Sequence, residues 1–272
     1  MAVDHALLES VQHGSLPALR LYRWRPACLS FGRNQLARGY YDPERARAAG
    51  IDIARRPTGG LAVLHDCELT YSIAVPLRFC GGPRQAYATI NCALVQGLLE
   101  LGVPAALAPV GPRRPPSLAD NQPCFHTAAA GEVVACGRKL VGSAQRAERG
   151  ALLQHGSILL DGSQTDVLRL RVAPEGARKP SFVPEGAERP RKPSFNGAAP
   201  RAAGGVADSG AITVRELLGA VPPWAELVAG IVAGFRGVCG TRLAPETLTR
   251  YEAARAAALE DHYHADSWTW RR

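Results

Sequence analysis

Long apolar segments are missing from this sequence of 272 residues. No apolar run approaches the roughly 20 residues that a helix needs to cross a bilayer, which excludes a transmembrane helix. The first residues, MAVDHALLESVQHG, lack both the basic start and the long apolar stretch of a signal peptide. Because 46% of the residues are apolar, there is enough apolar surface for one core or at most two. We therefore expect a soluble protein of the cytoplasm that binds no membrane.

Paired cysteine motifs are also absent. The seven cysteines are an odd number, no two form a CxxC pair, and the closest two are twelve residues apart. This pattern excludes a zinc knuckle and argues against a disulfide framework. Each cysteine taken alone is expected to be a small buried hydrophobic residue, and we predict no metal site.

The net charge of +8 is concentrated in one segment. Residues 178–201 carry six Lys or Arg and two Glu, which gives +4 and leaves +4 for the rest of the chain. This segment lies within 174–205, where six prolines and the repeated strings PEGA and RKPSF predict a loop or a disordered insertion. The basic balance therefore does not indicate a nucleic-acid partner.

The remaining pattern predicts an α+β fold, a mixed β-sheet packed with helices. We expect a domain core over 1–173, the insertion over 174–205, and C-terminal helices over 206–272 that complete the same domain. Strands are predicted at 20–31, 51–56, 61–64, 69–75 and 152–160, with a hairpin over 131–143 that turns at Cys136–Gly137. The segments 61–64 and 69–75 are expected to pair with each other. Helices are predicted at 42–50, 85–102, 223–238 and 246–260, a capping box at Thr213 and Glu216, and an irregular proline-rich loop at 109–123.

The first candidate site is the run RRPTGGLAVLHD at 55–66. A strand delivers Arg55 and Arg56 into a loop where Gly59 and Gly60 allow a ligand to approach the backbone closely. Guanidinium and backbone N–H groups together suit a carboxylate, a phosphate or a thioester-bearing group. The alternative is an ordinary tight hairpin.

The second candidate site is GRKLVGSAQ at 137–145 with QHGS at 154–157. Lys139 opens an apolar strand, so its ammonium group is expected to be partly desolvated and suited to proton transfer or to polarising a carbonyl. The alternative is an exposed lysine on a turn.

The third candidate is Cys124, where the proline-rich loop meets the next strand. A thiol near Arg or Lys can be held as the thiolate and attack a thioester. The alternative is one unremarkable cysteine among seven.

Together these motifs resemble the superfamily of lipoate and biotin protein ligases and octanoyltransferases. The family pattern RRxTGGxAVxHD stands at 55–66, GRKLVGSAQR at 137–146, LQHGSILL at 153–160 and PACLSFGRNQ at 26–35. MAVDHALLES at 1–10 is similar to an early family helix. The resemblance covers 1–160 and implies the catalytic-domain fold of the class II biotin and lipoate ligases.

Within the superfamily the chain most resembles the cysteine-dependent octanoyltransferases. Cys124, followed by Phe125, stands fifteen residues before Lys139, and Glu132 matches a family glutamate eight residues after the cysteine. The resemblance implies that Cys124 takes octanoyl from acyl carrier protein as a thioester, while Lys139 polarises the carbonyl and stabilises the thiolate. The acyl group then passes to a lysine of a lipoyl domain, such as the glycine cleavage H protein. No cofactor is needed, and we expect a monomer.

The resemblance also implies a set of substrate-binding residues. They are Arg55, Arg56, Thr58, Gly59, Gly60, His65, Gly142, Ser143, Ala144, His155 and Gly156. The side chains of Cys124 and Lys139 are expected to meet at one pocket floored by Gly59–Gly60 and Gly142–Ser143.

Three alternatives remain. One is a lipoyl-amide transferase or another acyl transfer. An ATP-dependent lipoate–protein ligase shares the arginine-glycine loop and the lysine, would use ATP and Mg, and would hold the phosphate of an acyl-adenylate with that loop. A non-catalytic basic binding module is the distant alternative. Departures from the family pattern at His5 and at 126–131 predict altered specificity or reduced activity.

Overall fold

The computed structural model describes residues 1–109, 125, 128–172 and 210–272. Its helices are α1 (Ala2–Gln12), α2 (Pro43–Ala48), α3 (Pro83–Glu100), α4 (Val214–Leu218), α5 (Trp224–Cys239), α6 (Arg250–His264) and α7 (Asp266–Thr269). Its strands are β1 (Ala18–Tyr22), β2 (Cys28–Phe31), β3 (Asp52–Arg55), β4 (Val63–His65), β5 (Glu68–Pro76), β6 (Ala105–Leu107), β7 (Val133–Ala135), β8 (Arg138–Lys139), β9 (Val141–Glu148) and β10 (Ala151–Leu159). The predicted α+β class is confirmed.

The largest sheet has four antiparallel strands in the order β1-β5-β10-β9. Because side chains alternate between faces along a strand, β5 presents Leu69 and Tyr71 to one face and Thr70 and Ala74 to the other. The Leu69 face packs against α3 and α5 in the main core. The Ala74 face packs against Leu7, Leu8 and Val11 of α1.

Helices α3 and α5 approach each other through glycines. A Cβ atom added at Gly234 would collide with the backbone of Ala93 and Gly97, and one added at Gly97 would collide with the backbone of Gly230. The absence of side chains at these positions lets the two helix backbones touch, which seats α5 deeply against the sheet-covering face of α3.

A second sheet has the order β3-β2-β4, with β2 parallel to β3 and antiparallel to β4. The predicted pairing of 61–64 with 69–75 is therefore wrong. Both edges of β5 are already occupied, by β1 and by β10, so β4 pairs with β2 instead. The two residues between β4 and β5 carry the chain from one sheet to the other.

A third sheet, β6-β7-β8, contains the predicted hairpin. Cys136 and Gly137 have φ of 51° and 74°, the positive pair of a two-residue hairpin turn, and Val134 pairs with Lys139. This prediction is confirmed, and the turn fixes Lys139 at the point where the hairpin meets the next strand.

Most helix signals are confirmed. Asp42 caps α2 by accepting from two backbone N–H groups, and the Thr213–Glu216 capping box begins α4. The predicted helix 246–260 instead begins at Arg250, because Thr249 forms a capping box with Glu252.

The single strand predicted at 20–31 is divided into β1 and β2. Pro26 lies in the break, and it has no backbone N–H to donate to a neighbouring strand.

The loop predicted over 109–123 lies outside the described residues except for Pro109, and the insertion 174–205 lies wholly outside them. The division of the domain at 173 and 206 stays a prediction. Among the described helices, none is both long and apolar enough to span a bilayer.

Candidate active site

A cleft of about 410 Å³, including its open mouth, lies between the four-stranded sheet and the second sheet. Its lining is Met1, Tyr22, Trp24, Arg56, Gly60, Val63, His65, Thr70, Gly142, Ser143, Ala144, His155, Gly156 and Ser157.

The strand register shows how the cleft is oriented on the sheet. Tyr22 pairs with Thr70, Thr70 with Ser157, and Ser157 with Gly142, so these four lining residues form one row across all four strands. The cleft therefore runs across the strands, from β9 at one edge of the sheet to β1 at the other.

Eight of the eleven predicted binding residues line this cleft. They are Arg56, Gly60, His65, Gly142, Ser143, Ala144, His155 and Gly156. Arg55, Thr58 and Gly59 do not line it, although Thr58 contacts His155 and Gly59 contacts Arg56, which do. The lining residues that the sequence did not indicate are Met1, Tyr22, Trp24, Val63, Thr70 and Ser157. For those on strands, alternation along the strand does not reveal which face lines a cleft.

The side chain of Arg55 points away from the cleft, contrary to the prediction that it faces a ligand. It is fully buried, and its Nη1 donates to the carbonyls of Gly32 and Gln35 at 2.6 and 2.8 Å. Its Nε donates to the carbonyls of Trp268 and Thr269. Burial, followed by the neighbouring Arg271, lowers the pKa of Arg55 to about 10. Arg55 thus joins the C-terminal residues to the turn after β2.

The guanidinium of Arg56 shapes the glycine loop from inside. Its Nη2 donates to the carbonyls of Gly59 and Leu61, and its Nη1 to the carbonyl and hydroxyl of Ser30. Gly60 has φ of 96°, a conformation that favours glycine. Arg56 therefore holds the loop in the form that lines the cleft.

Thr58 acts on the cleft through His155. Its hydroxyl lies 2.6 Å from His155 Nε2, and His155 Nδ1 lies 3.3 Å from Asp4 of α1. Burial lowers the pKa of His155 below its ordinary value. Burial raises the pKa of Asp4, but the hydrogen bond to His155 and nearby positive charge outweigh it, so that this pKa lies well below the usual range. These shifts favour a neutral imidazole that donates from Nδ1 to Asp4 and accepts from Thr58.

His65 is held between two polar groups. Its Nε2 lies 2.6 Å from the hydroxyl of Ser30, and its Nδ1 lies 2.8 Å from Glu68 Oε1. The ring of Trp24 stacks on it, with centroids 4.7 Å apart, while the indole N–H donates to Thr70. The ring of His65 is therefore fixed as a wall of the cleft, with Trp24 laid over it.

Lys139 is buried beside one end of the cleft. Only 3% of its surface is exposed, and Nζ lies 2.9 Å from both carboxylate oxygens of Glu132. The Phe125 ring centroid lies 5.3 Å from Nζ, and this ring also packs against Gly142, where a Cβ would lie 2.7 Å from it. An exposed lysine on a turn is thereby excluded, and the ion pair adjoins the Gly142 end of the cleft.

Cys124 lies outside the described residues, so its predicted meeting with Lys139 stays a prediction. Of the other cysteines Cys28 is buried, as expected, and burial raises its pKa to about 12. The expectation of burial is wrong for Cys67, Cys92, Cys136 and Cys239, which are exposed, and Cys80 is half-buried. None of these six lines the cleft.

Comparisons with known proteins identify a family by sequence. Residues 1–189 match the model of the lipoyl protein ligase A/B catalytic domain. The whole chain is 39% identical to octanoyltransferase LipM of Symbiobacterium thermophilum, covering 93% of it, and 32% identical to that of Staphylococcus aureus, covering 94% of it.

Solved structures show the same fold. A lipoate-protein ligase A bound with ATP superposes with a TM-score of 0.72 at 22% identity, over 99% of this chain and 92% of the other. The bipartite lipoate protein ligase of Thermoplasma acidophilum gives 0.70 at 22% identity, over 99% and 89%. The chain belongs to the lipoyl protein ligase A/B catalytic domain family.

Proposed function

We propose that this protein is an octanoyltransferase of protein lipoylation, which moves an octanoyl group from acyl carrier protein through Cys124 to a lysine of a lipoyl domain. The proposal is supported by relatives named octanoyltransferase that match the chain over its whole length. It is also supported by the position of Cys124 in the sequence, directly before a residue that contacts Lys139.

The proposed reaction has two steps and needs no ATP. Cys124 gives up its proton, and its thiolate attacks the carbonyl carbon of the donor thioester. A new C–S bond forms, the C–S bond of the donor breaks, and the carrier leaves as a thiolate that takes up the proton that Cys124 gave up. The lysine amine of the acceptor then attacks the enzyme thioester, an amide bond forms, and the Cys124 thiol is regenerated. Lys139 would stabilise the negative charge that develops on the carbonyl oxygen in both steps.

The observation that carries the proposal is the buried pair of Lys139 and Glu132 at the Gly142 end of the cleft. A buried cation can interact strongly with a thiolate or an oxyanion because little water screens it. Glu132 keeps the ammonium in place at 2.9 Å, and the ring centroid of Phe125 lies 5.3 Å from the same ammonium. An acyl carbonyl at this end would lie beside the cation that stabilises its developing negative charge.

The length of the cleft suits an octanoyl chain. From β9 to β1 there are three strand spacings, about 14 Å in all. With C–C bonds of about 1.5 Å, an extended chain of eight carbons spans about 9 Å. The chain would lie across the row from Gly142 towards Tyr22, under the ring of Trp24.

The contacts of Arg55 favour the transferase over the ligase alternative. A ligase is expected to hold the phosphate of an acyl-adenylate with the arginine-glycine loop. The Arg55 guanidinium is instead buried and donates to backbone carbonyls. The loop therefore offers a phosphate less positive charge than its sequence indicates.

Intact-mass analysis tests the proposal. Incubation with octanoyl-acyl carrier protein, without ATP, should add one octanoyl group to the protein and none to Cys124→Ala. Cys92→Ala is the matched control, because Cys92 is exposed on α3 and should leave the adduct unchanged. An adduct that persists in Cys124→Ala contradicts the thioester. No adduct, together with modification of a lipoyl domain when lipoate and ATP are added, would establish the ligase instead.

A further inference from the structure

A chain of polar side chains crosses the core from the cleft to the turn that carries Glu132. Asn91 lies on α3, Gln154 on β10 and Tyr71 on β5, and all three are fully buried. Apart from Asn91, the buried residues of α3 are apolar side chains and one glycine. An amide at this position therefore needs an explanation beyond packing, since burying it carries a desolvation cost.

Each link of this chain is a hydrogen bond of ordinary length. Asn91 Nδ2 donates to the Gly131 carbonyl at 2.8 Å. Gln154 Nε2 donates to Asn91 Oδ1 at 3.2 Å and to the Tyr71 hydroxyl at 2.8 Å. The Tyr71 hydroxyl lies 2.6 Å from the hydroxyl of Ser143, which belongs to the cleft lining.

The directions of the amide hydrogen bonds follow from one end of the chain. A backbone carbonyl only accepts, so Asn91 must present its NH₂ group to Gly131 and its oxygen to Gln154. Gln154 must then present its own NH₂ group to Asn91 and Tyr71. Between Tyr71 and Ser143 either hydroxyl can donate. The amide part of the chain therefore has one consistent arrangement, which fixes the Asn91 side chain firmly.

The point that Asn91 fixes is next to the ion pair. Gly131 precedes Glu132, whose Oε2 accepts from the backbone N–H of Ala129 at 2.7 Å and whose carboxylate holds Lys139. Movement of the Gly131 carbonyl would move the Glu132 backbone, and with it the carboxylate that locates the ammonium group.

We propose that Asn91 is a positioning residue for Lys139, acting through the Gly131–Glu132 turn and itself held by Gln154 and Tyr71. The inference rests on the proposed function, because it assigns the pair of Lys139 and Glu132 to acyl transfer. Asn91 touches no substrate. It determines the position of the Lys139 ammonium group, whose charge acts on the acyl carbonyl.

Kinetics of acylation test this role. Asn91→Leu should lower the rate of octanoyl transfer to the protein about tenfold, because a displaced charge stabilises the transition state less, with KM for the donor within twofold. Gln96→Leu, on the exposed face of the same helix, is the matched control and should keep the rate. In a Glu132→Gln background, adding Asn91→Leu should lower the rate of octanoyl transfer by a further factor of less than two. A normal rate in Asn91→Leu, or equal losses in both backgrounds, overturns the proposal.

A second measurement does not depend on octanoyl chemistry. Reductive methylation of Lys139 is followed by peptide mass analysis. Its rate should be at least threefold higher in Asn91→Leu than in the protein without substitutions or in Gln96→Leu. Tyr71→Phe breaks the same chain of hydrogen bonds while keeping the ring, and should increase the methylation rate of Lys139 by a smaller factor. It serves as the test variant where Asn91→Leu does not fold. Equal labelling in all proteins overturns the positioning role. A protein that labels as expected but forms no octanoyl adduct would overturn the proposed function alone.

Discussion

The indole N–H of Trp268 donates to the backbone carbonyl of Arg55 at 3.0 Å, and the Nε–H of Arg55 donates back to the carbonyl of Trp268 at 3.1 Å. These two residues are 213 positions apart in sequence. Arg55 is followed directly by Arg56 and the glycine loop, so the reciprocal pair ties the C-terminal residues to a wall of the cleft.

Arg55→Lys should destabilise the protein. A lysine has no planar fork to reach the carbonyls of Gly32, Gln35 and Thr269 together, and buried carbonyls would lose their donors. We expect the free energy of unfolding to fall by about 2 kcal/mol, measured by urea denaturation. Arg47→Lys, at an exposed ion pair with Glu44, should change it by less than about 0.5 kcal/mol. Equal effects of the two substitutions would contradict the structural role of Arg55.

Two glycines of α5 should respond in opposite directions to the same substitution. Gly234→Ala places a Cβ against the backbone of α3 and should lower the free energy of unfolding by about 1–3 kcal/mol. Gly237→Ala meets nothing within 4 Å and should raise it by about 0.5–1 kcal/mol, because alanine favours a helix. Urea denaturation measures both. A tolerated Gly234→Ala would show that α3 and α5 can move apart freely.

Much of the fold follows from local sequence. The helix predicted at 85–102 appears as Pro83–Glu100, and the turn at Cys136–Gly137 has two positive φ values, the second of which glycine favours. Such features depend on a few neighbouring residues, so the sequence contains their causes. Of the eleven residues that the family resemblance implied, eight likewise line one cleft.

What could not be predicted depends on distant partners. The sequence shows that Arg55 is charged, but its partners Trp268 and Thr269 follow more than 200 residues later. The sequence also did not reveal that β4 pairs with β2, because the alternation of apolar and polar residues indicates the two faces of a strand but not its neighbouring strands. Tyr22 reaches the cleft because β1 and β5 pair in one particular register, which places it opposite Thr70.

Stability should fall as the pH drops below about 6.5, the ordinary pKa of histidine. Burial lowers the pKa of folded His155, so between its folded and unfolded pKa the unfolded chain binds the extra proton. Stability therefore rises with pH through this window and is lost on acidification, by at most about 1.4 kcal/mol per pH unit for one group. The pKa values of His5 and His262 are lowered in the same direction.

Comparison with His155→Gln isolates this residue. Denaturant unfolding between pH 7.5 and 5 should give a shallower pH dependence for the variant, since one titrating group is gone. An unchanged slope would mean that His155 takes up its proton equally in the folded and unfolded chain.

Trp24→Ala should change the preference for acyl length. The indole lies over His65 at the β1 end of the cleft, so its removal opens space beyond the eighth carbon. We expect the ratio of dodecanoyl to octanoyl transfer, each measured as kcat/KM, to rise about tenfold. Trp224→Ala is the control, because Trp224 packs under Arg23 and does not line the cleft. The same ratio in both variants would place the end of the acyl chain elsewhere.

The row of Tyr22, Thr70, Ser157 and Gly142 has a consequence for how such a cleft can evolve. Its length is counted in strands, and one strand spacing of about 4.8 Å equals nearly four methylene groups of a straight chain. Adding or losing a strand would change the accommodated acyl chain by that whole step. Finer adjustment, by one or two carbons, is left to the side chains at the end of the row, so substrate length can drift while the sheet stays the same.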